Sequence, residues 1–144
     1  MIAINAKRSS IKLILAITNQ GKARFSRFEG TMNAKRLIGF MKGLIKDAKR
    51  KVYPILDNLW VHHANLVKEW LAKHSDETGA FYLPANSPEL NPDEYLNCDL
   101  KAGVHGGAIE GSLKAQALAH MRRLQELPAR VASYFEHRCI HYAA

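Results

Sequence analysis

KVYPILDNLWVHH, residues 51–63, opens as a strand and closes as something else. Val52, Ile55 and Leu56 make a short apolar run of the kind a sheet buries, and the run stops at the polar pair Asp57-Asn58. In open α/β sheets, functional groups collect outside the carboxyl ends of strands. Asp57 is therefore a candidate site residue, and the fold turns on what surrounds this strand. Pro54 is its oddity. A proline inside a strand removes a ladder donor, which suits an edge or a bulge better than the centre of a sheet.

Working outward, IKLILAIT (11–18) and ARFSRF (23–28) are strand-like runs joined by a turn ending in Gly21, which reads as a hairpin. NAKRLIGFMKGLIKDA (33–48) places Leu37, Met41, Leu44 and Ile45 on one stripe with lysines outside, the pattern of an amphipathic helix. ANLVKEWLAKH (64–74) repeats the pattern with Val67, Trp70 and Leu71 inward. AFYLP (80–84) is a short strand, and helices are expected from Asn91, over about 112–126, and over about 128–137 behind Pro128. The order β-β-α-β-α-β-α-α-α predicts a mixed α/β sheet with flanking helices in a single domain over 1–144. GVHGGAIEG (103–111) reads as an exposed loop.

Composition fits a globular chain: 47% hydrophobic, 24% charged, and no apolar stretch approaching the ~20 residues of a membrane helix. MIAINAKRSS is too weakly apolar for a signal peptide, and Cys98 and Cys139 read as two free thiols of a reducing cytoplasm. The charge is uneven. Residues 1–51 carry 13 Lys/Arg against two acids, a net of +11, while residues 52–144 carry 8 against 11. A basic region beside an acidic one suits a protein that holds a polyanion with one part and cations with the other, and it equally suits a solvated basic face.

A second acid matters as much as Asp57. In SPELNPDE (87–94), Glu94 opens the helix that follows the next strand, so Asp57 and Glu94 could face one cleft. Two divalent ions about 3.5–4 Å apart, held by such carboxylates, clamp the attacking and leaving oxygens of a phosphodiester. Each acid also has a local reading. Asn91, Pro92 and Glu94 have the spacing of a capping box, and Asp57-Asn58 that of an ordinary turn. Spacing alone leaves both readings open.

ILDNLWVHH followed by FYLPANSPELNPDEYLNCDLK resembles the catalytic domain of DDE-superfamily transposases, in particular bacterial insertion-sequence transposases related to the mariner group. The likeness runs from SSIKLILAITNQGKARF to RVASYF. It implies a ribonuclease-H-like fold, a five-stranded mixed sheet with helices on both faces. It also implies a site of three carboxylates binding two Mg²⁺ (or Mn²⁺), which activates water to nick transposon ends and then the freed 3′-hydroxyl to attack target DNA. Asp57 matches the second carboxylate, on the fourth strand, and Glu94 the third.

The chain departs from that pattern at its start. Residues 1–28 contain no Asp or Glu, and the hairpin matches the family's second and third strands. The expectation is therefore an N-terminally truncated domain lacking its first strand and first catalytic Asp, with residues 1–6 able to fill only part of the gap. Such a sheet would lose its middle, so low stability or self-association is expected. Metal binding by the remaining two acids should be weak, and the chain alone should not cut DNA. The alternative is a non-catalytic module that binds DNA or pairs with full-length transposase. Asn58, His62 and His63 are candidate supporting residues. Lys7, Arg8, Lys12, Lys22, Arg24, Lys49, Arg50 and Lys51 are candidate DNA phosphate contacts. Trp60 and Trp70 read as packing residues, HRCIH (137–141) as an improbable metal set, and the chain as a cytoplasmic protein associated with the nucleoid when on DNA.

Overall fold

LILAI in the second strand has no polar residue, and the sheet explains why. The computed structural model describes residues 2–6, 12–105 and 113–143. Strands β1 (Ile2–Ala6), β2 (Leu13–Thr18), β3 (Ala23–Arg27), β4 (Pro54–Leu56) and β5 (Phe81–Tyr82) form one sheet in the order β3-β2-β1-β4-β5. β1 is antiparallel to β2 and parallel to β4, β2 is antiparallel to β3, and β4 is parallel to β5. Side chains alternate across a strand, so β2 feeds two cores at once. Leu13, Leu15 and Ile17 pack with Leu96, Met121, Leu124 and Phe135 on one face. Ile14 and Ala16 pack with Leu37, Met41, Leu44 and Val67 on the other.

The helices supply those faces. α1 (Ala34–Ala48) and α2 (Asn65–Lys73) cover one side. α3 (Pro92–His105), α4 (Leu113–Gln125) and α5 (Pro128–Ser133) cover the other, with α3 seated on β1 and β2. α1 starts where Asn33 Oδ1 accepts the Arg36 N–H at 2.9 Å, and it ends at Lys49 in the left-handed region, φ 53°. Its stripe is buried as expected at Leu37, Met41 and Leu44, with Phe40 also inward and Ile45 half-buried. Each such fully buried apolar side chain stabilises the fold by roughly 1.5–3 kcal/mol. The expected helix over 128–137 is shorter: α5 ends at Ser133 and tightens into 3₁₀ turns. Of the expected loop over 103–111, residues 103–105 belong to α3 and 106–111 lie outside the described residues.

The ribonuclease-H-like mixed sheet with flanking helices is as expected, but the missing first strand is a correction. Residues 2–6 are that strand, at the centre of the sheet, with five register pairs to β2 and three to β4. A strand needs only about five residues, and Ile-Ala-Ile is apolar enough for a central position. The premise for low stability or self-association, two unpaired edges in mid-sheet, falls with it. Pro54 is also resolved differently, because β4 is not an edge. Pro54 is the first residue of β4 and pairs with β1, whereas β5 joins only from Ile55, and a first position tolerates proline.

Candidate active site

Asp57 lies one residue beyond β4, at its carboxyl end. The chain turns sharply there because Asp57 Oδ1 accepts the Leu59 N–H at 3.3 Å, an Asx-type turn. A 3₁₀ turn, Trp60–His63, then returns the chain to the carboxylate. His62 is fully buried, and its Nδ1 sits 2.8 Å from Asp57 Oδ1 and 2.9 Å from the Asp57 carbonyl oxygen. With the proton on Nδ1 it donates to both and fixes the carboxylate's orientation. Its Nε2 is buried without a hydrogen-bond partner among the described residues. The Tyr82 hydroxyl donates to the His62 carbonyl at 2.9 Å. His63 Nε2 lies 2.7 Å from Asn58 Oδ1, and its ring stacks on Tyr82 with centroids 4.6 Å apart. Burial pushes the Tyr82 hydroxyl above its ordinary pKa, so it stays a donor. Asp57, Asn58, His62 and His63 thus form one connected group, tied to β5 through Tyr82.

Glu94 stands in the first turn of α3, half-buried. Asn91 Oδ1 accepts the Asp93 N–H at 3.1 Å, and the Glu94 N–H bonds the Asn91 carbonyl at 3.1 Å. Asn91 is the cap, as read from sequence. The reciprocal half of a capping box is absent, because the Asn91 N–H is already given to the Pro88 carbonyl at 3.0 Å. The Glu94 side chain is therefore not consumed by capping. The same turn holds a fully buried carboxylate that sequence reasoning passed over, Asp93, 0% exposed. A helix N-terminus favours negative charge, and that is the signal by which it could have been found.

β1 neighbours β4 in the sheet and is contacted by α3. Its parallel register runs Ile2↔Pro54, Ala3↔Ile55, Ile4↔Leu56. That register ends at Ile4↔Leu56, and the next residues of the two chains are Asn5 and Asp57. Among the described residues, no three or more His, Cys, Asp or Glu side chains converge on a point that could hold a metal ion. The residues present do not fit a three-carboxylate, two-metal site. Asp57 and Glu94 come from different elements, and His62 and a backbone N–H already engage Asp57 Oδ1.

The basic residues divide. Lys7 and Arg8 lie outside the described residues. Lys12 precedes β2 at the Asp57 end of the sheet, bonded to the Gly30 carbonyl. Lys22, Arg24, Lys49, Arg50 and Lys51 lie at the opposite end, on the hairpin turn, the start of β3 and the exit of α1. Trp60 is 60% exposed and not a packing residue, whereas Trp70 is buried and stacks on His74. In HRCIH, His137 stacks on Tyr95 and Cys139 is an exposed free thiol, as is Cys98. No helix of the described residues is long and apolar enough to cross a membrane.

This architecture has solved counterparts. The catalytic domain of Mos1 mariner transposase superposes with a TM-score of 0.62 at 18% identity, over 99% of this chain and 81% of that one. The same domain, solved with Raltegravir and Mn, gives 0.63 at 18% identity, over 99% and 82%. The catalytic core domain of BIV integrase gives 0.62 at 16% identity, over 94% and 95%. No curated protein matches the chain significantly. At such identities the structural likeness shows the fold, and the family comes from the sequence itself. The family model described as DDE superfamily endonuclease matches residues 2–114, most of the chain. The chain belongs to the DDE superfamily of endonucleases and carries the ribonuclease-H-like fold of transposase and integrase catalytic domains.

Proposed function

We propose that this chain is a single-domain DNA transposition module of the DDE type in which Asp57 and Glu94 are the second and third metal-binding carboxylates and Asn5 stands in place of the first. The reading is supported by the register of β1 on β4, whose last pair Ile4↔Leu56 is followed by Asn5 and Asp57, and by the lack of any acid in residues 1–28. A hard divalent cation takes charged oxygens, and ligand charge sets its affinity. A carboxamide brings one neutral oxygen where a carboxylate brings two that share a charge. Mg²⁺ or Mn²⁺ binding by the chain is therefore weak. His62 orients Asp57, with Asn58, His63 and Tyr82 holding the loop that carries it. Transposon ends and target DNA are the substrates of the complete family site. Here the chain engages DNA at the nucleoid but does not cut it unaided. The test is strand nicking by the purified chain with Mg²⁺ or Mn²⁺. No product is expected, and metal-dependent nicking abolished by Asp57→Asn would refute the reading.

A second reading has its own support in the basic residues gathered away from Asp57. The chain would then act as a non-catalytic module that binds DNA or pairs with a complete transposase. DNA binding that survives both Asp57→Asn and Glu94→Gln supports it, and loss of all binding at low salt removes it.

A further inference from the structure

At the end of the sheet away from Asp57 the chain forms a cleft of about 880 Å³. Its position follows from register. Ile2 pairs with both Thr18 and Pro54, so the end of β2 and the start of β4 flank it at that end of the sheet. Tyr53 on its rim is four residues before Asp57, roughly 13 Å along an extended strand. The cleft's charged lining is Lys22, Arg24, Arg50 and Lys51 against Asp47. Arg24 is paired with Asp47 and donates to the Gly43 carbonyl at 3.2 Å, which neutralises that pair. Lys22, Arg50 and Lys51 have no acidic partner among the described residues.

Two of these cations are held in place. Arg50 donates to Gln20 Oε1 at 2.7 Å, and Lys51 Nζ lies 5.6 Å from the centre of the Tyr53 ring. The carboxyl end of α1 accounts for some cation preference at Arg50 and Lys51, worth typically 0.3–1 kcal/mol. It does not account for Lys22, which comes from the hairpin on the facing wall. That wall is rigid. Gly21 sits at φ +86° with the Pro128 carbonyl so near that a Cβ would come within 2.2 Å of it, and Gln125 Nε2 donates to the Ala23 carbonyl at 3.0 Å.

We infer that this cleft is a second DNA-contact site, separate from the Asp57–Glu94 end, which grips the phosphate backbone of duplex DNA through Lys22, Arg50 and Lys51 without reading sequence. The inference rests on the proposed DNA-acting role. Cations on two facing walls suit a row of phosphates, and such contacts fix the position of DNA while carrying no base information. Binding through them releases counterions, so affinity falls steeply with salt.

The test measures the salt dependence of binding to a labelled duplex by fluorescence anisotropy, using the full chain. Each phosphate contact contributes about 0.9 to the slope of log K against log salt. The triple variant Lys22→Ala, Arg50→Ala, Lys51→Ala should lower that slope by about 2–3 and weaken low-salt binding roughly tenfold or more. A control variant, Lys35→Ala, Lys68→Ala, Lys73→Ala, removes the same charge from exposed positions on α1 and α2 and should keep the wild-type slope. Equal losses in both variants, or an unchanged slope in the first, overturn the inference while leaving the DNA-acting role intact. A wild-type chain that binds no duplex at low salt overturns both. Inorganic phosphate, matched in ionic strength with chloride, should not displace the duplex preferentially. If it does, the cleft takes a small phosphate ligand and the inference fails.

Discussion

Gly21→Ala gives the sharpest check on how the hairpin is docked, because Gly30 supplies an internal control. Both glycines have positive φ, +86° and +77°. Forcing an L-residue with a Cβ into that region costs roughly 1–2 kcal/mol, and the lower entropy of the unfolded alanine chain returns about 0.4–1 kcal/mol. These contributions are common to both sites. The surroundings differ. A Cβ on Gly30 meets nothing closer than an Arg36 guanidinium nitrogen at 3.8 Å. A Cβ on Gly21 falls 2.2 Å from the Pro128 oxygen and 2.7 Å from its carbonyl carbon, which are backbone atoms at the start of α5. No rotamer change relieves that contact, so the Thr18–Lys22 turn must lift off α5, at a cost of a further 1–3 kcal/mol or so. Gly30→Ala should therefore lose at most about 1.5 kcal/mol, and Gly21→Ala about 1–3 kcal/mol more than that variant. At about 2–4 °C per kcal/mol for a domain of this size, that is a Tm shift of up to a few degrees against roughly 10 °C. Urea denaturation with matched m-values, alongside thermal melts, reads the difference. Equal losses for the two variants would refute the close seating of the turn on α5, and with it the rigid wall of the basic cleft.

Other perturbations separate the remaining contacts. His62→Leu removes a hydrogen bond to a charged group, worth roughly 1.5–3 kcal/mol, and also a buried nitrogen without a partner, whose burial costs about 1–3 kcal/mol. Denaturation should show a net change under about 1 kcal/mol, and a larger loss would mean that Nε2 is satisfied. Burial holds the His120 imidazole below its ordinary pKa of 6.5 despite the Asp99 carboxylate 3.8 Å away. The unfolded chain then protonates first, so His120 contributes stability above pH 6.5 that is lost as pH falls through its folded pKa. His120→Gln should flatten the fall in stability just below pH 6.5, read as ΔG of unfolding against pH. Trp60→Ala, at an exposed position, should change stability by less than about 0.5 kcal/mol, measured by urea denaturation.

Periodicity and punctuation made most of the fold legible. The hairpin, α1, α2 and the two short parallel strands stand where alternation and the 3.6-residue stripe put them, because β2 and α1 bury strongly patterned faces. β1 escaped because five residues of Ile-Ala-Ile-Asn-Ala carry too little pattern to declare a strand. Its place in the sheet comes from pairing with β2 and with β4, the latter far from it in sequence. The candidate site was legible in its residue types and hidden in its contacts. Asp57 and Glu94 were visible from strand end and helix start. That His62 rather than His63 reaches the carboxylate depends on a 3₁₀ turn that buries Val61 and His62 and leaves Trp60 outside, which no spacing rule dictates. Asn5 drew no notice as an asparagine in an unrecognised strand, and it acquires meaning only from the register against β4.

That register makes the most direct test of the account. Calorimetric titration of Mn²⁺ into the wild-type chain, into Asn5→Asp, and into the double variant Asn5→Asp, Asp57→Asn compares two carboxylates with three on the same fold. Restoring charge beside Asp57 should tighten Mn²⁺ binding by roughly tenfold or more, since ligand charge sets affinity for a hard cation. The double variant should return to the weak binding of the wild type. Equal Mn²⁺ affinity in the wild-type chain and Asn5→Asp would contradict the claim that Asn5 stands where the first carboxylate belongs.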